Sequence, residues 1–321
     1  TDNPYYQQFL VGSFPQLLQD QYQVQMQQHP LRGEIIATKL TNYMINDMGL
    51  NFAHRLNEET GASIADIAIA YSTIKALYNL GDLWREVEQL DNQIDSALQL
   101  QLLDSMRRSV RRATRWMLRE HTQFDSITSA IEFYRPVYSD LLQNIDQYLV
   151  AGEVQALHKA VASYVDQGIP ESIAYRVGIQ SNAFSALDLA HIVEKTQVEP
   201  ALVQRLYFQL GSNLQLHWFL EQINQQGVNN HWQALARASY REELDHQQRV
   251  LTISLLKRTD NLTTTAQVDD LLANWMDTNA NLINRWSSMM SEFKTSQSHE
   301  FAKFSVALRE LLLLTNKVSA S

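Results

Sequence analysis

The sequence predicts an all-α protein, an irregular multi-helix bundle of one or two lobes. Three observations carry that prediction: apolar residues recur with a 3.6-residue period almost everywhere, no segment keeps a period of two for long, and turn-making residues are scarce. The 321 residues include 10 Gly and 6 Pro, where average usage of about 7% and 5% would give roughly 22 and 16. A chain so poor in punctuation has few turns and long segments between them.

Taken in order, the expected helices are 31–48, 50–60, 64–79, 83–92, 96–121, 127–149, 152–167, 171–178, 182–196, 200–211, 213–226, 230–258, 265–295 and 299–316. The clearest periods are Ile64, Ile67, Ala68, Tyr71, Ile74 and Tyr78, and then Leu98, Leu102, Met106, Val110, Ala113 and Met117. Each set lies on one face of a helix and commits that face to a core. The scarce breakers fall between these segments. Gly49, Gly61 and Gly81 suit the left-handed position that ends a helix. Ser63, with Asp66 three residues on, and Asp82 suit the N-cap that accepts free amide hydrogens. Pro30, Pro170 and Pro200 suit first turns, and Pro136 is expected to break or kink the helix that contains it. Together the helices exceed about 70% of the chain, twice the usual share. Gln16–Gln28, Thr259–Thr265 and Thr295–Ser298 are polar enough to be linkers. The expected organisation is an N-terminal lead-in over 1–29, a helical domain over 30–258 and a C-terminal helical hairpin over 259–321. No self-similarity of 33 to 45 residues recurs, which argues against helical repeat arrays.

The glycine positions also exclude chemistry. The closest two, Gly168 and Gly178, stand ten residues apart. A phosphate cradle needs glycines within a few positions of each other, so that backbone can turn sharply and approach the phosphate with no Cβ in the way. The dinucleotide fingerprint, the P-loop, the kinase glycine loop and the Gly-x-Ser-x-Gly elbow are all excluded. The absence of Cys removes disulfides, thiol nucleophiles and thiolate metal ligands, and fits a cytoplasmic protein. With 45% apolar and 19% charged residues, the chain can bury a real core. Its apolar runs, such as Leu311–Leu314, are far shorter than a membrane span. A net charge of −9 opposes general binding to nucleic acid or to an acidic membrane. The first residues carry no basic or apolar leader and no initiator Met, so the start is expected to be a cut within a longer chain.

Candidate sites are few. No two of the nine His lie three to five residues apart, and His299-Glu300 is not followed by the second His of a zincin helix. Asp188-Leu189-Ala190-His191 and Glu243-Leu244-Asp245-His246 have the carboxylate-x-x-His spacing of di-iron bundles. The further inward Glu residues that such a site needs are not singled out, so these fragments read as polar residues on amphipathic helices and no metal is expected. Arg107, Arg111, Arg115 and Arg119, with Arg108 and Arg112 beside them, form a basic stripe on one helix. Such a stripe could grip phosphate or RNA. In a chain of net charge −9 it is better read as pairing with the preceding carboxylates Glu86, Glu88, Asp91 and Asp95, or with a partner domain. Glu58-Glu59-Thr60-Gly61-Ala62-Ser63 places two carboxylates before a Gly turn, but it also reads as one helix end, its cap and the next helix start. The aromatic residues, mostly at helical spacing, read as core anchors. Read from residues alone, this is a soluble, mildly acidic helical module with no recognisable catalytic apparatus.

Several segments, in this order, carry a resemblance. They are His29-Pro30-Leu31-Arg32-Gly33-Glu34-Ile35-Ile36-Ala37-Thr38, the Glu58–Ser63 segment, Leu83-Trp84-Arg85 with Leu90-Asp91-Asn92, Arg112-Ala113-Thr114-Arg115-Trp116, Tyr134-Arg135-Pro136, Gly168-Ile169-Pro170, and Trp232-Gln233-Ala234-Leu235-Ala236-Arg237. Over about 29–245 the chain resembles the C-terminal helical region of the large bacterial NAD-specific glutamate dehydrogenases. The resemblance implies a parent polypeptide that deaminates L-glutamate oxidatively to 2-oxoglutarate and ammonia with NAD, as a homo-oligomer in the cytoplasm. It implies that the partner of this chain is the catalytic part of that polypeptide. Since the nucleotide loop and the Gly-rich, Lys-bearing glutamate site have no counterpart here, no catalytic or cofactor-binding residue is carried over. The expectation is a segment that holds no cofactor, is inactive alone, and has a structural, oligomerisation or regulatory role. The alternative is a separate helical interaction or scaffold protein, and a third reading is a helical pocket for a small regulator.

Overall fold

The structure, a computed structural model, describes residues 3–120, 124–259, 262–296 and 300–320. A 3-10 turn at Pro4–Tyr6 leads into α1 (Gln7–Val11), α2 (Gln16–Gln19), α3 (Gln23–Gln27), α4 (Arg32–Met48), α5 (Phe52–Thr60), α6 (Ile64–Leu77), α7 (Leu80–Glu88), α8 (Ser96–Arg119), α9 (Ile127–Tyr148) and α10 (Ala151–Asp166). Then follow α11 (Glu171–Gly178), α12 (Gln180–Ala183), α13 (Ser185–Thr196), α14 (Pro200–Asn213), α15 (Leu216–Gln225), α16 (His231–Leu256), α17 (Thr265–Thr278), α18 (Ala280–Thr295) and α19 (Phe301–Ala320). There is no strand among the described residues, and the fold is all-α. The expected helix limits at 121 and 299, parts of the two Ser/Thr-rich segments, and His299 lie outside the described residues.

Contacts divide the chain into two units, Thr1–Pro136 with Lys159–Phe184, and Val137–His158 with Ser185–Ser321. They are interleaved in sequence, and two of their borders fall inside α9 and α10.

In the first unit, α6 is the central helix, touched by α4, α5, α7 and α8. Its burial therefore extends beyond one face: Ala70, Ser72 and Thr73 are buried along with Ile67, Tyr71 and Ile74, while Ile64, expected inside, is exposed. The α8 face that the sequence marked out is buried from Leu98 to Met117. The turn between α5 and α6 is made by two local devices. Gly61 takes the left-handed conformation at φ 72° as the C-cap of α5, where a side chain would be strained. Ser63 and Asp66 then exchange backbone-to-side-chain hydrogen bonds as a capping box, so that two free amides at the start of α6 are satisfied. Gly81, expected after a helix, instead lies within α7, and Asn79 supplies the left-handed residue at φ 48°.

In the second unit, α16 is flanked by α13, α14, α15 and α19. At its centre the side chains of Asp188 and Arg249, 0% and 3% exposed, pair at 2.5 Å. Tyr207 donates from its hydroxyl to Asp188 at 3.4 Å, and Gln248 donates to the Tyr207 carbonyl at 3.0 Å. Gly211 was expected to end its helix, yet α14 continues past it to Asn213. The reason is space: a Cβ there would stand 2.7 Å from the Gln248 amide nitrogen. A second cluster joins Phe219 edge-on to Trp286 and Phe293, with Phe304 against both phenylalanines. Trp286 donates its indole hydrogen to the Leu214 carbonyl at 2.7 Å.

Three other expectations fail locally. The Gln16–Gln28 segment folds into α2 and α3, each no longer than five residues. Within the expected helix 265–295 the chain breaks at Asn279, whose side-chain amide shares the Trp275 carbonyl with its own backbone N–H. The helix containing Pro136 departs from helical geometry at Asn144 (φ −117°) rather than at the proline. Asn144 turns its side-chain amide onto the Asp140 carbonyl and carboxylate, competing for the acceptor that a continuous helix would use. Tyr148 and Gln204 also donate to Asp140, which fixes the distortion in place. Burial, and then the Asp140 hydrogen bond, raise the Tyr148 pKa, so the tyrosine stays a donor.

The buried ion pair yields a stability prediction. Arg249→Met strands a buried carboxylate and is expected to cost about 3–5 kcal/mol, whereas Asp188→Leu/Arg249→Met together recover most of that loss. Urea unfolding midpoints of the two variants and the unsubstituted chain check it.

Candidate functional site

The arginine stripe occupies the second half of α8, a helix of 24 residues. Arg107 donates from Nε to the carbonyl of Asp47 at 2.8 Å, in the last turn of α4, and also pairs with Asp104 on its own helix at 3.1 Å. Arg119 donates to the carbonyl of Glu59 at 2.6 Å, in the last turn of α5. Both arginines thus satisfy carbonyls that a helix end leaves without a partner, and both put positive charge at the negative end of a helix dipole. Between them Arg115, buried to 8% exposure, pairs with the Glu59 carboxylate at 2.5 Å. Arg112 stacks its guanidinium 3.7 Å from the centroid of Phe184. Arg108 and Arg111 are exposed. Desolvation and the neighbouring charge of Arg55 lower the Arg111 pKa, and Glu59 opposes the shift.

Two of the preceding carboxylates are engaged elsewhere. Glu86 holds Arg176 at 2.7 Å, and Asp95 caps the start of α8 by accepting the amides of Ala97 and Leu98. At 1.5 Å per residue, Asp95 lies roughly 18 Å along the helix from Arg107, beyond side-chain reach. Glu59 was visible only as part of a capping turn, because a pairing 56 residues apart leaves no local signal.

Beside this corner lies a cavity of about 800 Å³, walled by Thr60–Ser63, by Asp66, Ile69 and Thr73 of α6, by the end of α8 and by the start of α9. Its hydroxyls are engaged in local structure. Thr60 donates to the Leu56 carbonyl at 2.6 Å, Ser63 is tied to Asp66 at 2.7 Å, and Ser126 and Ser129 cap each other at 3.0 Å. A second cavity of about 650 Å³ in the same unit is lined by Tyr5, Phe9, Tyr43, Trp84, Lys75 and Asp47 among others. There Lys75 and Tyr71 both donate to the Asp47 carboxylate, and the Lys75 ammonium sits 4.9 Å from the centre of the Tyr43 ring. Burial, reinforced by the Asp47 charge, raises the Tyr71 pKa and keeps its proton on. The i, i+4 spacing of Tyr71 and Lys75 was the available sign of this cluster; Asp47 had none.

In the carboxylate-x-x-His fragments, Asp188, Glu243 and His246 each contact another side chain. Asp188 is taken by Arg249, whose other nitrogen lies 3.1 Å from His246 Nδ1, and Glu243 accepts from Gln247 at 2.7 Å. Among the described residues no group of three or more His, Asp or Glu is placed to hold a metal ion, and no helix is long and apolar enough to cross a membrane.

The family described as glutamate dehydrogenase, C-terminal, matches residues 1–312. The NAD-specific glutamate dehydrogenase of Pseudomonas aeruginosa is 34% identical over 312 residues, which cover 97% of this chain and 19% of that protein. That of Halomonas elongata is 31% identical over 99% of this chain and 20% of its own length. That of Mycobacterium tuberculosis is 26% identical over 94% and 18%. The chain therefore spans about a fifth of the length of these relatives.

With four of its arginines engaged inside the first unit, the stripe is expected to act on stability rather than on RNA. Arg111→Ala/Arg115→Ala should lower the unfolding midpoint and leave fluorescence anisotropy of a labelled single-stranded RNA unchanged. A strong, salt-dependent loss of RNA binding in that variant would contradict the internal role.

Proposed function

We propose, from the premise that the chain belongs to the glutamate dehydrogenase C-terminal family, that it is the helical C-terminal module of a large NAD-specific glutamate dehydrogenase. In this reading the polypeptide deaminates L-glutamate to 2-oxoglutarate and ammonia with NAD as the hydride acceptor, and the chemistry resides in the four-fifths of its length outside this chain. The observation that carries the reading is the family match over residues 1–312, together with relatives that are about five times longer.

The residues support a non-catalytic role. Hydride transfer to a dinucleotide needs a backbone cradle for the pyrophosphate, and glycines no closer than ten residues apart do not supply one. The hydroxyls of Thr60, Ser63 and Ser126 in the larger cavity and four of the stripe's arginines are engaged within the first unit, which makes it a stiff support. In this reading the module's part is to pack against the catalytic region, to help hold a homo-oligomer in the cytoplasm or to transmit regulation. It binds neither nucleic acid nor membrane in this reading, since its net charge of −9 repels both.

The test is NADH formation with L-glutamate. The whole polypeptide is expected to turn over, and the 321-residue chain alone to give no rate above buffer. Turnover that scales with the purified chain would overturn the proposal.

A further inference from the structure

The N-terminal segment carries an unusual share of exposed apolar side chains. Leu17 is 88% exposed, Val24 61%, Leu31 55%, Tyr22 47% and Leu18 40%, five large apolar residues within fifteen positions. The segment is nonetheless folded. Tyr6, Leu10 and Met26 are buried beneath it, Gln27 donates to Gln7 at 3.3 Å, and Phe14 packs on the His29 ring at 5.8 Å. Helices as short as α2 and α3 do not hold themselves in water, so these anchors keep the outward residues in place.

From Asn3 to Leu31, Asp20 is the one Asp, Glu, Lys or Arg. That depletion of charge, with leucines and a tyrosine outward, is the composition of the buried centre of a protein–protein interface. It also excludes two other partners, since without Lys or Arg the segment attracts neither nucleic acid nor anionic lipid.

We infer that the surface of this segment, where Leu17, Leu18, Tyr22, Val24 and Leu31 are exposed, docks on the catalytic region of the same polypeptide. This rests on the proposed function, in which about four-fifths of the polypeptide lies outside this module. Covalent continuity gives that remainder a high effective concentration at this face, above that of a separate molecule. Leu31 belongs to the His29–Thr38 segment that carries the family resemblance, so a residue of the family pattern stands on the surface rather than in the core.

Hydrogen–deuterium exchange on the whole polypeptide and on the 321-residue chain, side by side, tests the inference. Tyr22 and Met26 have amides hydrogen-bonded within the short helices, to Leu18 and Tyr22 respectively, and serve as reporters. Their exchange is expected to be at least tenfold slower in the whole polypeptide. Leu17→Glu/Val24→Glu in the whole polypeptide should restore the faster rate while far-UV circular dichroism stays unchanged. Equal rates in both proteins overturn the inference, as does protection that appears in the 321-residue chain and grows with its concentration, which would mark a second copy as the occupant. Glutamate turnover by the whole polypeptide separates the two failures. Turnover with unprotected reporters removes this docking face and leaves the functional reading, whereas absent turnover and no protection anywhere in the module removes both.

Discussion

The first unit depends on one helix supplying positive charge to the ends of two others. Residues Arg107 and Arg119 stand twelve positions apart on α8, roughly 18 Å along its axis, and each donates to a carbonyl in the last turn of a neighbour, α4 and α5. Between them Arg115 and Glu59 form an ion pair with side chains 10% and 23% exposed. A cation at a helix C-terminus contributes about 0.3–1 kcal/mol at the surface and up to about 2 kcal/mol when partly buried, so the stripe is a substantial share of a marginal stability. The same geometry gives Arg107, Arg115 and Arg119 acceptors within the fold.

The second unit uses a buried polar set in place of capped ends. The Asp188–Arg249 pair is among the least exposed in the molecule, and such a pair adds little net energy over an apolar core of the same shape. Its effect is on register. Gly211 brings the Gln248 amide close to α14, Tyr207 meets both Asp188 and Gln248, and shifting either helix by one residue would break several of these bonds at once.

Much of this was legible in the sequence where the cause is local. The α8 core face, the Gly61 C-cap and the Ser63–Asp66 capping box follow from spacing and side-chain chemistry within a few residues. What escaped depends on distant partners or on side chains competing with the backbone. Pro136 was the obvious breaker, yet Asn144 distorts the helix, because its amide reaches Asp140. Asn279 interrupts a segment that periodicity joins. The partner of Arg115 lies 56 residues upstream, while Glu86 and Asp95 are occupied elsewhere. Of the functional reading, the glycine spacing excluded nucleotide cradles, and the ordered motifs carried the family, which the match over residues 1–312 shows.

Arg115 and Arg119 fasten α8 to the end of α5, and Arg107 fastens it to the end of α4. A double-mutant cycle of Arg115→Met and Glu59→Gln, read from the unfolding free energy in urea, measures this directly. A coupling of about 1–3 kcal/mol between the two sites is expected. A coupling indistinguishable from zero would contradict it, and would mean that the arginine stripe is held for a purpose outside the fold.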